Sequence, residues 1–98
     1  MIKFNLKITK KDNDLYKYTE NTFLKATFIE EYLNNFVSTY KLSIQWESIF
    51  NFTCAGNTDC LTIENELRAF KKSYVEKFKV DDINIHITWI SSAPVSIL

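Results

Sequence analysis

From Leu42 to Cys54 the chain alternates. Leu42, Ile44, Trp46, Phe50, Phe52 and Cys54 hold the even positions, with Ser48 the one small polar residue among them. The odd positions carry Ser43, Gln45, Glu47, Ile49, Asn51 and Thr53. Side chains alternate across a strand, so this row dictates a sheet with one face in a core and the other in water. Such a sheet must bury its apolar face against another layer. The stretch is long for one strand, since about 5–6 residues is typical. A single long strand, bent near Ser48, is the expected form. The alternative is a hairpin turning at Glu47–Ser48–Ile49, which sets Trp46 opposite Phe50 and Ile44 opposite Phe52. No Gly or Asn at that turn supplies the positive φ that tight hairpins favour. In either form Trp46 belongs to the core row.

The rest of the chain supplies the layers. Ile2, Phe4, Leu6 and Ile8 alternate with Lys3, Asn5, Lys7 and Thr9 as a first strand. Lys10 to Asp14 is a polar turn, and Leu15–Thr19 is read as a short return strand. Leu24, Phe28, Ile29, Tyr32, Leu33, Phe36, Val37 and Tyr40 then fall at helical spacing. Asn21 or Thr22 is a candidate cap for this helix, and Thr27-x-x-Glu30 is a competing capping box. Gly56-Asn57 reads as a turn, with Asp59 or Thr62 capping a second helix from about Asp59 to Phe78. That helix carries the stripe Ile63, Leu67, Phe70, Tyr74 and Phe78. Asp81-Asp82 interrupts the pattern. A last strand places Ile83, Ile85, Ile87 and Trp89 on one face and Asn84, His86, Thr88 and Ile90 on the other. A tail from Ser91 is expected to pack on the domain or to extend a sheet edge. The expected fold is α+β: an antiparallel or mixed sheet of three to four strands with two helices on one face. The element order is compatible with a ferredoxin-like split βαβ unit if the central stretch is a hairpin.

Residues 1–98 make one domain, large enough to bury a core without staples. Twelve basic and twelve acidic residues cancel. That excludes the strong basic excess of most nucleic-acid binders and the acidic excess of DNA mimics. Met1 opens directly onto an alternating strand rather than a leader, and no apolar run is long enough to span a membrane. A cytoplasmic protein with two free thiols is therefore expected. The use of Lys, Asn and Ile over Arg suggests an AT-rich bacterial or phage genome.

Candidate chemistry is sparse. Cys54, Gly56, Asn57, Thr58 and Asp59 lead from a strand into a helix N-terminus, where backbone N–H groups can converge on an anion. Over these few residues Cys54-x-Gly56-Asn57 resembles the start of the phosphate-binding loop of low-molecular-weight tyrosine phosphatases. Cys60 stands where that family has its arginine, so the activity does not carry over. Cys54 also belongs to the apolar row, which makes it a buried, unreactive thiol. His86 is the sole histidine. It shares the polar face with Asn84 and Thr88, away from Cys54. Glu30, Glu31, Glu64, Glu66, Asp81 and Asp82 form no diagnostic pair and read as solvated surface. No catalytic residue set, cofactor site or metal site is assembled.

The polar sheet face remains. Lys3, Lys7, Gln45, Glu47, Asn51, His86 and Thr88 lie on it, and the aromatic residues fall on the opposite row. An RNA-recognition sheet needs aromatics on its open face to stack bases. The expectation is a protein that works by binding another protein, such as an inhibitor, immunity or anti-defence protein of a mobile element, with a homodimer as one form of the contact. The alternatives are a small enzyme or anion binder at the Cys54–Cys60 loop, and a nucleic-acid-associated protein using Lys3, Lys7, Lys10 and Lys11.

Overall fold

The computed structural model describes residues 1–90 and 95–98. Strand β1 (Ile2–Lys10) is followed by helix α1 (Phe23–Thr39), strands β2 (Ser43–Ser48) and β3 (Asn51–Gly56), and helix α2 (Cys60–Phe78). Strand β4 (Ile83–Trp89) and the short strand β5 (Val95–Ile97) complete the fold. The sheet order is β2-β3-β1-β4-β5, with every pairing antiparallel. The first four strands and two helices thus follow the ferredoxin-like split βαβ order, with β1 and β3 central. The α+β expectation holds. The tail extends the β4 edge through Thr88↔Val95 and His86↔Ile97; its part from Ser91 to Pro94 lies outside the described residues.

Strand alternation fixes the two faces. Phe4, Leu6 and Ile8 of β1, Phe52 and Cys54 of β3, and Ile83, Ile85 and Ile87 of β4 are fully buried. The helices cover that face with Ala26, Ile29, Leu33 and Phe36 from α1 and with Ile63, Leu67, Phe70 and Tyr74 from α2. Between the helices runs an aromatic seam. Tyr32 stacks on Phe70 with ring centroids 4.1 Å apart, Phe28 meets Phe78 edge-on at 5.5 Å, and Tyr74 lies 4.9 Å from Phe78. Such pairs contribute about 0.5–1.5 kcal/mol each beyond their area burial.

The central stretch is a hairpin, not one bent strand. It pairs Trp46↔Phe52 and Ile44↔Cys54, two residues from the register of the alternative three-residue turn, and carries an irregularity between Trp46 and Ser48. Neither Ile49 nor Phe50 has positive φ. The turn is held instead by packing: Phe50 is buried, with Tyr16 and Tyr18 rings at 5.4 and 5.8 Å.

Parity survives this change, but burial does not follow it everywhere. Trp46 lies on the core row yet is 48% exposed, because β2 is the sheet edge. Leu24, expected in the helical stripe, is 76% exposed.

Local expectations also shift. Helix α1 starts at Phe23, ahead of the Thr27–Glu30 box, and Thr22 stands at its N-cap without a side-chain capping bond. The Thr22 hydroxyl is taken by the Lys17 carbonyl and the Thr19 N–H, both at 2.8 Å. Leu15–Thr19 forms only a bridge from Leu15 to Thr9. Gly56 is the last residue of β3 rather than a turn glycine, and its φ is not positive. A Cβ there would sit 2.6 Å from Leu42 Cδ2, so its lack of a side chain makes room for a core leucine.

Candidate functional site

The face of the sheet opposite the helices carries no covering element among the described residues. Cross-strand pairing assembles it: Lys7 stands between Asn51 and His86, Asn5 between Thr53 and Thr88, and Gln45 beside Thr53. The predicted residues Lys3, Lys7, Gln45, Glu47, Asn51, His86 and Thr88 therefore do share one surface. Lys3, Gln45, Glu47 and Thr88 are exposed, and Lys7, Asn51 and His86 are half-buried.

Short side chains tie this surface together. Asn51 donates to Glu47 Oε2 at 3.1 Å, while Asn5 donates to Asn51 Oδ1 at 3.0 Å and to the Phe52 carbonyl at 3.2 Å. Thr9 Oγ1 and His86 Nε2 are hydrogen-bonded at 2.8 Å. Burial and the neighbouring Lys7 charge hold His86 below the ordinary histidine pKa, so the imidazole is neutral near pH 7. Lys3, Ser43, Gln45, Thr53 and Ala55 contribute to the lining of a shallow depression of about 220 Å³ at the base of the hairpin. The face is thus a fixed array of amides and hydroxyls with lysines along its central strand.

The N-terminal lysines do not act as one patch. Lys3 and Lys7 lie on the open face, whereas Lys10 meets Asp12 and Asp14 at 3.7 and 3.9 Å. Lys11 meets Asp81 at 3.3 Å and donates to Asn84 at 3.1 Å. Half of the cluster is therefore neutralised by local acids.

Cys54 and Asp59 stand where the sequence places them, Cys54 in the core row and Asp59 at the cap of α2. Both thiols are free. Cys54 is fully buried, and burial pushes its thiol up to about 12. Cys60 is exposed at the start of α2. The helix N-terminus is occupied by the chain itself: Asp59 accepts from the Thr62 N–H at 2.8 Å and from its hydroxyl at 3.0 Å. These bonds hold Asp59 below the usual carboxylate range.

A second polar cluster lay outside the sequence reading, which took Asp81 and Asp82 as solvated. Asp82 accepts from the fully buried Tyr74 hydroxyl at 2.7 Å and from Lys25 at 2.8 Å. Burial pushes Asp82 up, but the bonds from Lys25 and Tyr74 outweigh it and leave the carboxyl below its ordinary pKa. Asp81 bridges Lys11 and Lys71, the latter at 3.2 Å. Glu64 is drawn in as well, accepting from Trp89 Nε1 at 3.3 Å. These bonds join residues far apart in the chain, and no sequence spacing marks them. They tie α1 and α2 to the Asp81–Asp82 segment before β4, and α2 to the end of β4 at Trp89.

Among the described residues no group of three or more His, Cys, Asp or Glu could hold a metal ion. No helix among them is long and apolar enough to cross a membrane. No family model, curated protein or solved structure matches the chain.

Proposed function

We propose that this protein acts by binding another protein through the open face of its sheet. One observation carries the reading. Both helices commit their apolar stripes to one side of the sheet, which leaves a rigid, hydrogen-bonded polar array on the other. Antiparallel sheets with one open side are half solvated, and they offer regularly spaced side chains to a partner. Affinity on such a surface comes from a few anchors rather than from the whole area. Lys3 and Lys7 are the anchors with charge, because neither makes an ion pair among the described residues. The aromatic residues of the sheet lie on its helix side, with Trp46 half exposed at the edge, so the open face offers no ring for base stacking, which disfavours a single-stranded nucleic acid. Within the protein-binding class, an inhibitor or immunity role asks only for such a surface.

The test is site-directed photo-crosslinking in an extract of the source organism. A photoreactive residue is placed at Gln45 or Thr88 on the sheet, and at Asn34 or Lys72 on the helices. One protein adduct shared by the sheet positions and absent from the helix positions is the expected result. An adduct formed from Asn34 or Lys72 alone overturns the assignment, and a nuclease-sensitive adduct moves the protein to the nucleic-acid class.

A further inference from the structure

The core-row residue Trp46 is half exposed on an edge strand, and among the described residues that strand has no neighbour on its outer side. The Ile8 N–H donates to the Phe50 carbonyl at 2.9 Å. In an antiparallel ladder the backbone groups of successive residues point alternately to either side. With Leu6↔Phe52 and Phe4↔Cys54 in the same register, the even residues of β3 turn their N–H and C=O toward β1. The odd ones turn theirs toward β2. Thr53 and Ala55 therefore bond Gln45 and Ser43. It follows that the N–H and C=O groups of Ile44 and Trp46 point outward along the free edge.

We propose that this edge pairs with the same edge of a second copy of the chain, antiparallel, about a two-fold axis through Gln45. That register sets Ile44 of each copy opposite Trp46 of the other, Gln45 opposite Gln45, and Ser43 opposite Glu47. Both Ile44–Trp46 pairs are then hydrogen-bonded pairs, each exchanging two backbone hydrogen bonds. The indole, half uncovered in one copy, lies across an aliphatic side chain from the other. Aromatic and β-branched residues are favourable cross-strand partners. The one charge on the strand, Glu47, meets a serine rather than another carboxylate.

Registers shifted by two residues fit less well. One places Trp46 opposite Trp46 and runs into the irregularity beyond it. The other places Trp46 opposite Leu42, which is buried and precedes the strand. Natural edges commonly refuse a new strand with Lys or Pro, and Ser43–Ser48 contains neither. The two-fold axis stands perpendicular to the sheet, so the helices of both copies lie on one side. The two open polar faces then become one continuous surface. The inference rests on the edge and not on what docks on that surface, so either can fail alone.

The test uses the full chain with Cys60→Ser, which removes the exposed thiol. Sedimentation over a wide concentration range is expected to show a monomer–dimer equilibrium. Gln45→Cys in this background is expected to form an intermolecular disulfide on mild oxidation, because the two residues face each other at a non-hydrogen-bonded site. Ser43→Cys and Glu47→Cys alone should crosslink poorly. Trp46→Lys should weaken the dimer about tenfold or more, as loss of a central aromatic anchor does, with unchanged circular dichroism. A monomer at every concentration overturns the proposal. So does a dimer that survives Trp46→Lys and gives no Gln45→Cys disulfide, since it uses another surface. A chain that stays monomeric but binds an added peptide copy of β2 also overturns it, in favour of a foreign strand at this edge.

Discussion

Replacing Asp82 by alanine tests how the two helices are locked to the sheet. In the native protein the buried Tyr74 hydroxyl has Asp82 as its acceptor at 2.7 Å. A hydrogen bond to a charged group contributes about 1.5–3 kcal/mol, and a buried hydroxyl left without its acceptor bears its full desolvation penalty. The Lys25 contact is short at 2.8 Å, but its side chains are 30% and 36% exposed, so solvent screening reduces it to about 0.2–1 kcal/mol. The sum predicts a loss of roughly 2–4 kcal/mol for Asp82→Ala at neutral pH. Urea unfolding reads it as a lower midpoint at unchanged slope. The double variant Asp82→Ala/Tyr74→Phe removes the orphaned hydroxyl and should recover about 1 kcal/mol of the loss. The cost also depends on pH. The folded-state pKa of Asp82 is depressed, so its contribution is complete above the unfolded value near 3.9 and is lost as pH falls through the folded one. The gap between wild type and Asp82→Ala should narrow in acid. A loss below about 0.5 kcal/mol, the range of ordinary surface substitutions, with no recovery in the double variant, would refute the argument.

Three further outcomes follow from burial and charge. Phe52→Ala, at a fully buried site, should cost about 3–5 kcal/mol, whereas Trp46→Ala should cost well under half as much in the monomer, read by the same urea titrations. Cys60 should react with a thiol reagent in the native protein and Cys54 only on unfolding, as followed by mass spectrometry; rapid native labelling of Cys54 contradicts its burial. The lowered His86 pKa means that the unfolded chain binds the proton more tightly, so stability should fall as pH drops below about 6.5. His86→Gln should flatten that slope.

The fold was legible where periodicity carried it. The even row of β1, the row of β4 and the stripe of α2 stand in the sequence as they stand in the core. The hairpin stood only as the alternative and its register was not legible, because its turn contains no glycine or asparagine and depends on Phe50 meeting Tyr16 and Tyr18 from a distant loop. Parity assigned Trp46 to the correct side of the sheet. It carries no information on how far the helices reach, so the edge position and the exposure were hidden. Gly56 read as a turn because its neighbour is Asn57, whereas its reason is Leu42 across the hairpin. The polar face of the candidate site was visible from alternation alone. The Asp82–Tyr74–Lys25 cluster was not, since helix and loop residues meet there only after packing.

The open sheet face, and not a helix surface, is the proposed docking site for a partner. Its most direct measurement is a binding titration of the crosslinked partner against Lys7→Glu and Glu31→Lys, each shown to be folded by circular dichroism. Lys7→Glu is expected to weaken binding about tenfold or more, a change on the order of 1.4 kcal/mol, while Glu31→Lys leaves it unchanged. Loss of binding in Glu31→Lys alone, with Lys7→Glu binding as wild type, would contradict it.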